Sequence, residues 1–390
     1  MSQTPLKIFI CAGEPSGDLH GAALMQSLRR KINRPIAFRG FGGDQMRAAG
    51  ADLLYHTDQT ALIGITPVLT HLPFLLGMIK NLKRVMLGWK PDLVITVDYP
   101  EMNLMLAKFA HRNQIPNLHY ICPQVWAWRR GRIPKIAKIL DMMLCILPFE
   151  PECFSGTALD IRYTGHPLVD RAAETRAEPP PTLPWHDKTK KIALLPGSRV
   201  SEVTRILPRM LTAAAITEEK LNGDCAFVIP AASAKMRKIA QEIIGRQPRK
   251  PKVLEMVDGN ARHVLLQADA AAVASGTATL EACLMRCPTV LVYAASWLTY
   301  QIGKNIIKGV KFLGLANIIA GREIMPELIQ DAYTAEALAD RLTAFSSDPE
   351  TRAATLAGLD IAIAKLGNGG ASDNAAEAIV GKFFPADVAP

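Results

Sequence analysis

The feature that most constrains this chain is a regular alternation of short apolar runs with segments of helical apolar spacing, which continues through both halves of its 390 residues. Buried parallel strands read as nearly continuous apolar runs, and the helices between them carry apolar residues every three or four positions. The alternation therefore predicts two α/β units in tandem, each built on a parallel sheet. The predicted strands are Leu6–Cys11, Ile36–Phe41, Leu93–Val97, Leu118–Cys122, Met142–Leu147, Ile192–Leu195, Ala226–Ile229, Ala270–Ala274 and Thr289–Tyr293.

A proline-rich segment separates the two halves. Pro179, Pro180, Pro181 and Pro184 exclude regular secondary structure from it. A chain of this length usually forms two domains of roughly 100–200 residues each. We therefore expect a first domain at residues 1–178, a linker at 179–190 and a second domain from residue 191 onwards.

The net charge of +9 favours anionic partners, such as phosphorylated small molecules or an anionic membrane surface. No RNP, KH or zinc-finger pattern accompanies the charge, which argues against nucleic acid. The seven cysteines are scattered without metal-binding spacing, and no signal peptide precedes the first strand. We expect a cytoplasmic protein that needs no metal and no other cofactor.

The first domain has two candidate loops, each directly after a predicted strand. Gly13, Ser16 and Gly17 belong to a strand-to-helix turn that also carries Glu14, whose carboxylate would repel a phosphate and suits sugar hydroxyls better. Asp98 ends the strand Leu93–Val97, where ligands of open α/β sheets bind. Asp98 is the predicted general base and Glu14 the alternative. The structural alternative for Asp98 is a helix N-cap.

The second domain has two loops that suit phosphate. Ser198 and Arg199 follow a buried strand at the entry to a helix, where amides and a guanidinium can bind a diphosphate without a metal. Ser275, Gly276 and Thr277 form a small-residue turn, and Glu281 one turn later can accept hydrogen bonds from ribose hydroxyls. Without a Walker loop, a G-x-G-x-x-G loop or a D-x-D pair, these loops predict a sugar nucleotide.

A basic aromatic segment, "PQVWAWRRGR", lies in the first domain. It places Trp126 and Trp128 before a run of basic residues and could stack on a sugar and bind an anionic group, with Trp126 and Arg129 as the predicted substrate contacts. The alternative is a buried Trp126 followed by a solvated basic helix.

Residues 61–79 contain no charged side chain, but prolines and glycines interrupt them, which argues against a membrane-spanning helix. With Lys80, Lys83 and Arg84 beyond it, the segment resembles an interfacial helix on anionic lipid, with Phe74, Met78 and Val85 facing outward. An ordinary buried helix is the alternative. The predicted membrane or acyl-chain contacts are Ile63, Val68, Leu69, Leu72, Phe74, Leu75, Met78 and Val85.

Seven motifs together resemble the lipid-A-disaccharide synthase family, which consists of inverting glycosyltransferases. They read "AGEPSGDLHGA", "GGDQM", "PQVWAWRRGR", "YTGHPLVD", "LLPGSRVSEV", "ASGTATLEA" and "GLANIIAGREIMPEL", and they occur in the family's order over residues 12–328. The resemblance implies a GT-B fold of two Rossmann-like domains with an interdomain active-site cleft. It places the sugar-nucleotide domain at residues 191–365 and a C-terminal segment, 366–390, back on the first domain.

The resemblance also implies the reaction. UDP-2,3-diacylglucosamine would react with 2,3-diacylglucosamine 1-phosphate (lipid X) to give the β-1,6-linked disaccharide 1-phosphate and UDP. Asp98 matches the family's proposed base and Arg199 its essential arginine, while Glu281 and Asn317 match its nucleotide region, and Asn103 and Gln301 complete the predicted substrate contacts. The implied protein is peripheral on the inner membrane, with a homodimer as a further candidate. Two departures are Pro15 in place of an alanine and "DYPEMN" after the strand, which leaves the role of Glu101 open.

Three other functions remain to be weighed. A UDP-N-acetylglucosamine 2-epimerase or another GT-B transferase would share the loops of the second domain but would not need the apolar segment 61–79. A non-catalytic lipid- or nucleotide-binding protein would not need Asp98 together with Arg199. A nicotinamide dehydrogenase would carry a third glycine in its loop, which both candidate loops lack.

Overall fold

The structure is a computed structural model. It describes residues 4–61, 68–296, 300–301 and 309–388, and their side chains except those of residues 60, 61 and 68–72. The chain forms two compact units. The first unit ends at Pro167 and resumes at Gly369, and the second unit is Leu168–Asn368.

The first unit contains a seven-stranded parallel sheet in the order β3-β2-β1-β4-β5-β6-β7. The inner strands consist mainly of apolar side chains that are buried on both faces, as parallel sheets covered by helices require. The strand order reverses between β1 and β4. These two strands pair directly, and Ala12 lies beside Val97 at their carboxyl ends. The strands are β1 Leu6–Ala12, β2 Ile36–Gly42, β3 Ala51–His56, β4 Leu93–Val97, β5 Asn117–Tyr120, β6 Met142–Cys145 and β7 Asp160–Tyr163.

Helices cover both faces of this sheet. Pro15 starts α1 at a position where its missing N–H costs nothing. On the other face, α4 contributes Met78, Leu82 and Met86 to a core with Phe9 of β1. The helices are α1 Pro15–Lys31, α2 Asp44–Ala48, α3 Asp58–Ala61, α4 Val68–Trp89, α5 Pro100–Arg112, α6 Ile133–Ala137 and α7 Glu150–Cys153, with a 3₁₀ turn at Arg130–Arg132.

The end of the chain belongs to the first unit. Its last helix, Ala371–Phe383, packs on α1 and buries Ala375 and Ile379 in the same core as β1. An ion pair between Arg30 and Asp373 links the two helices at their surface, with 2.7 Å between Nη2 and Oδ1.

The second unit contains a six-stranded parallel sheet in the order β10-β9-β8-β11-β12-β13, which reverses direction between β8 and β11. The strands are β8 Lys190–Leu195, β9 Cys225–Ala231, β10 Leu254–Asp258, β11 Ala270–Ala274, β12 Thr289–Tyr293 and β13 Glu327–Ile329. The helices are α8 Pro167–Ala177, α9 Val200–Lys220, α10 Ala234–Arg246, α11 Ala261–Gln267, α12 Thr277–Leu284, α13 Leu315–Ala320, α14 Ala335–Ser347 and α15 Pro349–Leu366, and the last helix of the chain, Ala371–Phe383, is α16. Further 3₁₀ turns lie at Gln330–Ala332 and Pro385–Asp387.

The proline-rich segment packs with the second unit. Gln267 of α11 donates to the carbonyl oxygen of Pro181 at 3.0 Å and accepts from the indole of Trp185 at 3.0 Å. Arg176 at the end of α8 donates to the carbonyl of Leu284. The boundary between the units lies between Pro167 and Leu168, at the start of α8. The interdomain cleft stays a prediction.

The two α/β units with parallel sheets are confirmed, and every predicted strand overlaps an observed one, although the predictions for β5 and β6 extend two residues too far. The sequence reading missed β3, β7, β10 and β13. Each is the outermost strand of its sheet and is only partly buried, so its sequence lacks the continuous apolar run of an inner strand.

Candidate active site

The candidate residues of each unit lie at the point where the strand order of its parallel sheet reverses. Gly13 follows β1 and Asp98 follows β4, and these two strands are neighbours. In the same way Arg199 follows β8 and Gly276 follows β11. The carboxyl ends of strands at such a reversal form the usual ligand site of an open α/β sheet.

The turn after β1 needs a glycine at position 13 because Tyr99 lies against it. A Cβ atom on Gly13 would be 2.1 Å from Cδ1 of Tyr99. Gly17 lies close to β4, where a Cβ atom would be 3.3 Å from the carbonyl oxygen of Val97. Both glycines therefore act through packing, whereas Glu14 and Ser16 are exposed at the edge of the sheet.

Asp18 has a structural role that the sequence reading did not assign. Its buried carboxylate accepts hydrogen bonds from the amides of Gly43 at 2.7 Å, Gln45 at 2.9 Å and Met46 at 3.0 Å. Asp18 thus satisfies amides at the start of α2, whereas Glu14 is the N-cap residue of its own helix.

Asp98 and Tyr99 both have left-handed backbone conformations, with φ of 51° and 48°. Such conformations cost non-glycine residues of order 1 kcal/mol or more, and they cluster at functional sites. The amide of Asp98 donates to the carbonyl oxygen of Tyr120 at 2.9 Å. Burial raises the pKa of the Asp98 carboxyl above its ordinary value, a hydrogen bond from the Tyr99 amide opposes this, and the nearby Glu101 raises it further. A raised pKa makes this carboxylate a stronger base.

Asn103 holds the strained turn in place. Its side chain is fully buried, and Nδ2 donates to the carbonyl oxygens of Asp98 at 2.7 Å, Val97 at 3.0 Å and Cys11 at 3.3 Å. The amide therefore joins the ends of β1 and β4. This burial corrects the prediction of a substrate contact, because Asn103 acts on the backbone beneath the site.

The basic aromatic segment divides into a buried and an exposed part. Trp126 is only 6% exposed, and its Nε1 donates to Oε1 of Glu150 at 3.1 Å. Burial thus removes Trp126 from the candidates for sugar stacking. Trp128, the second tryptophan of the segment, is half-buried, and the exposed Arg129 lies over its ring.

In the second unit, Arg199 and Ser198 lie at the start of α9, but their amides are not free. Oε2 of Glu202 accepts from the amides of Ser198 at 3.1 Å and Arg199 at 3.3 Å, while Oε1 accepts from Nη1 of Arg199 at 2.7 Å. Gly197 has φ of 112°, and a Cβ atom there would be 2.5 Å from Oε2 of Glu202. The prediction of free amides at this turn is wrong because Glu202 caps them. The guanidinium of Arg199 remains largely exposed.

The turn after β11 is open to solvent. Gly276 has φ of 150°, its neighbour Thr277 is exposed, and Ser275 is half-buried. Glu281, one turn into α12, is half-buried, and burial raises its pKa while Arg262 and Arg171 oppose the rise. Gln301 is half-buried as well. Within the described ranges, no group of three or more His, Cys, Asp or Glu side chains could hold a metal ion.

Asn317 is fully buried and supports a loop. Its Oδ1 accepts from the amides of Ile324 and Met325 at 2.8 and 2.9 Å, and its Nδ2 donates to Oε1 of Glu327 at 2.8 Å. Glu327 in turn accepts from the amides at the start of α13. These contacts correct the prediction that Asn317 touches the nucleotide, because its polar atoms bind the protein itself.

Helix α4 turns a different face outward from the one predicted. Met78 is 1% exposed, and Leu75 and Val85 pack against the core around it. The prediction that Met78 and Val85 face outward is therefore wrong, because the buried arc of the helix is wider than predicted. Phe74 is exposed as predicted, and Leu76 is exposed as well, at 42% and 56%.

The remaining membrane predictions lie outside the described side chains. Ile63 is not among the described residues, and only the backbone is described at Val68, Leu69 and Leu72. None of the helices in the described ranges combines the length and apolar character that crossing a membrane requires.

Three residues at the candidate site, Tyr99, Leu76 and Glu202, were not among those that the sequence indicated. Only Glu202 had a recognisable signal, because an acidic residue at the third helical position is typical of a capping box. The exposure of Tyr99 and Leu76 depends on which side of the turn or helix packs against the core, and the sequence does not show this.

A family model described as lipid-A-disaccharide synthetase matches residues 8–369. The lipid-A-disaccharide synthase of Syntrophus aciditrophicus is 40% identical over 371 residues, which cover 95% of this chain and 96% of that protein. The enzyme of the same name from Myxococcus xanthus is 38% identical over 387 residues, covering 98% and 99%.

Two solved structures share the fold at low sequence identity. A UDP-GlcNAc 2-epimerase from Neisseria meningitidis bound to UDP-GlcNAc has a TM-score of 0.62 at 12% identity, covering 97% of this chain and 100% of that one. MurG from Acinetobacter baumannii has a TM-score of 0.59 at 12% identity, covering 96% and 99%. These likenesses assign the GT-B fold, while the sequence matches favour the synthase over an epimerase.

Proposed function

Because this chain belongs to the lipid-A-disaccharide synthetase family, we propose specific roles for its candidate residues in the synthesis of the lipid A disaccharide. The protein is a hexosyltransferase of this pathway. Its substrates are UDP-2,3-diacylglucosamine as the donor and 2,3-diacylglucosamine 1-phosphate as the acceptor. The position of Asp98 at the sheet reversal of the first unit is the observation that carries the mechanism.

Asp98 is the general base. The 6-hydroxyl of the acceptor loses its proton to the Asp98 carboxylate as its oxygen attacks the anomeric carbon of the donor. The bond between that carbon and the diphosphate breaks, and UDP leaves. General-base assistance of this kind contributes roughly 10²–10⁴-fold. The raised pKa of Asp98 supports the role because a more basic carboxylate removes the proton more readily. Glu14, exposed beside it, binds acceptor hydroxyls together with Ser16.

Arg199 stabilises the leaving diphosphate. Nη1 of its guanidinium is bound to Glu202, and its remaining donors serve the phosphate oxygens. Ser198, Ser275, Gly276 and Thr277 line the nucleotide at the ends of the two strands, and Glu281 accepts hydrogen bonds from the ribose. Gln301 adds a contact to the donor. Asn103 and Asn317 position the loops and do not touch substrate.

The direct test is mass spectrometry of the products after the purified protein is incubated with both acylated sugars. We expect the disaccharide 1-phosphate and UDP in equal amounts. An epimerised UDP-sugar formed without acceptor would indicate an epimerase, and binding without any product would indicate a non-catalytic protein. Either outcome would overturn the proposed function.

Exposed apolar residues of α4 support a peripheral position of the enzyme on the cytoplasmic face of the inner membrane. Phe74 and Leu76 are exposed, and Lys80, Lys83 and Arg84 follow on the same helix. Burial in lipid contributes about 25 cal/mol per Å² of apolar surface, and each basic residue adds about 1 kcal/mol on an anionic surface. The homodimer stays a prediction.

A double variant, Phe74→Ser with Leu76→Ser, tests this membrane face. We expect an unchanged melting temperature, weaker co-sedimentation with anionic vesicles and a higher KM for both acylated substrates. Ile361→Ser is the matched control, because Ile361 is a similarly exposed apolar residue of the second unit. Equal vesicle binding by the double variant and the wild type would contradict the proposal.

A further inference from the structure

The segment 123–132, which follows β5, is built on a buried anchor. The indole of Trp126 donates to Oε1 of Glu150, and Oε2 of Glu150 accepts from the amide of Leu147 at 3.0 Å. The ring of Trp126 also meets Phe149 edge-to-face, with 5.0 Å between the ring centroids. These contacts fix the middle of the segment against the residues that follow β6.

The anchored segment presents one stacked pair to solvent. The guanidinium carbon of Arg129 lies 4.3 Å from the centroid of the Trp128 ring. Arg129 also has a left-handed backbone with φ of 62°, so its direction is set by the main chain as well as by the ring. A guanidinium that stacks through its face keeps its N–H donors in the plane of the group, where they match the oxygens of a phosphate.

The three arginines of this segment differ in their partners. Nε of Arg130 donates to the carbonyl oxygen of Trp126 at 3.3 Å. Nη1 of Arg132 lies 3.5 Å from Oε1 of Glu101. Arg129 makes no ion pair with any carboxylate in the part of the chain that the structure describes. Its charge is therefore available to an anion from outside the protein.

The stacked pair belongs to the same edge of the sheet as the proposed base. The last residue of β5, Tyr120, accepts the hydrogen bond from the amide of Asp98. The ion pair between Arg132 and Glu101 joins the segment to the first turn of α5, which directly follows Asp98 and Tyr99. One contact thus joins the turn that carries Asp98 to the strand before the segment, and a second joins the segment to the helix after that turn.

We propose that Trp128 and Arg129 form the subsite for the phosphate monoester of the acceptor sugar, with the in-plane N–H groups of Arg129 on the phosphate and the indole of Trp128 holding the guanidinium. This inference rests on the proposed function, since it concerns the acceptor of that reaction. The acceptor is the smaller of the two anionic substrates, and its phosphate distinguishes it from an uncharged acylated sugar. The pair therefore selects the phosphorylated acceptor.

The test compares two acceptors, 2,3-diacylglucosamine 1-phosphate and the same sugar without phosphate, in nonionic detergent. For each we would measure the binding constant by calorimetry and kcat/KM with the donor. Arg129→Gln should weaken binding and lower kcat/KM by roughly tenfold or more for the phosphorylated acceptor, as expected for a charge-assisted contact. It should leave the dephosphorylated acceptor and the KM for the donor unchanged. Trp128→Leu should act in the same direction but less strongly.

Arg112→Gln is the matched control. Arg112 is an exposed arginine at the far end of α5, and its loss removes the same charge without touching the pair. An equal loss for both acceptors in Arg129→Gln, or the same selective loss in Arg112→Gln, would overturn the proposal. Thermal melts of all variants show whether a loss comes from unfolding, and a selective loss in a folded Arg129→Gln protein supports the subsite.

Two further arms separate this inference from its alternatives. A phospholipid headgroup carries similar chemistry, so co-sedimentation with anionic vesicles is measured in parallel. Loss of vesicle binding with unchanged acceptor selectivity would assign Arg129 to the membrane and overturn the subsite.

Calorimetry needs no turnover, so the ratio of the affinities for the two acceptors can be measured in the Asp98→Asn variant. Full turnover of that variant would overturn the base assignment and leave the subsite to be judged by its own ratio.

Discussion

The strand order reverses at equivalent places in the two sheets, but the turns after the central strands differ in which residues adopt left-handed backbone conformations. In the first unit, the left-handed residues are Asp98 and Tyr99, which carry side chains, and the amide of Asn103 beneath them binds three carbonyl oxygens. In the second unit, glycines occupy the strained positions, Gly197 and Gly276. Glycine lets a ligand approach the main chain, whereas a strained aspartate directs a side chain.

The two edges also differ in charge. The first carries the carboxylates of Glu14, Asp98 and Glu101 around Tyr99. Burial raises the pKa of the Tyr99 hydroxyl most, and the charges of Glu14 and Glu101 raise it further. The second exposes the guanidinium of Arg199. The proposed function therefore assigns a proton acceptor to one unit and a partner for the leaving anion to the other. Variants on the two edges test whether the base and the partner of the leaving anion belong to different units.

The largest effect is expected from removing the base. Asp98→Asn should lower kcat by roughly 10²–10⁴-fold while calorimetry shows unchanged UDP affinity, because the change is confined to the first unit. Glu14→Gln is the companion variant and should retain most of the turnover. If Glu14→Gln shows the larger loss, the base is Glu14.

The second prediction concerns the contribution of Glu150, a buried carboxyl of the first unit, to the pH dependence of stability. Burial raises the pKa of this carboxyl from its ordinary value of 4.5 to about 7. An acid with a raised pKa destabilises the folded state when it ionises, so the contribution of Glu150 to stability should fall as the pH rises from about 4.5 to about 7. The penalty amounts to about 3 kcal/mol. Glu150→Gln should remove this fall.

The buried His119 and His166, whose pKa values burial lowers to about 4, act in the opposite direction, so the contribution of Glu150 is measured as the difference between wild type and variant. Urea denaturation of the wild type and Glu150→Gln at pH 5, 6, 7 and 8 measures the difference in slope. Glu152→Gln, at an exposed neighbour, is the control and should keep the slope of the wild type. Parallel curves for Glu150→Gln and the wild type would mean that Glu150 is ionised in the folded protein over the whole range.

The third prediction concerns the cationic edge. Arg199→Ala should weaken UDP binding by about tenfold, the low end for a charge-assisted hydrogen bond, because the Arg199 side chain is 78% exposed. Calorimetry with UDP measures the loss. Arg205→Ala, an exposed arginine further along α9, should bind UDP normally, and equal losses in both variants would point to a general effect of charge.

The smallest effect is a shift of the pH profile. Since the charge of Glu101 helps to raise the pKa of Asp98, Glu101→Gln should move the acid limb of kcat/KM to lower pH by less than about one unit. Arg132→Gln removes the cation that partly neutralises Glu101 and should move the limb the other way. Shifts of the same sign in both variants would show that Glu101 does not act on Asp98 by its charge.

The sequence predicted the inner strands and missed the four outer ones for one physical reason. An inner strand such as Ala270–Ala274 is buried on both faces and must be apolar throughout. An outer strand such as Asp160–Tyr163 has one side open to solvent and tolerates polar residues, so its pattern resembles that of a loop. The sequence of such a segment does not reveal that it pairs with a neighbour.

The candidate site divides in a similar way. Asp98, Arg199 and Glu281 were found because each follows the end of a buried strand by a short distance, and the chain order alone places them at that edge. Asn103 and Trp126 were also selected, but they are buried beneath that edge, and Asn317 is buried where it supports the loop before β13. A polar or aromatic side chain near a strand end has the same sequence signature whether it points towards solvent or into the core.

The sequence by itself thus determined the two parallel sheets, the family and the strand ends to which the proposed function assigns the chemistry, because apolar patterning and short motifs are local properties of the chain. Only the tertiary structure decided that Glu202 occupies amides predicted to be free, that Met78 is buried while Leu76 is exposed, and that Trp128 rather than Trp126 is open to solvent. Each of these depends on which neighbouring element covers a side chain. That covering is a property of packing between segments distant in sequence, and no local pattern encodes it.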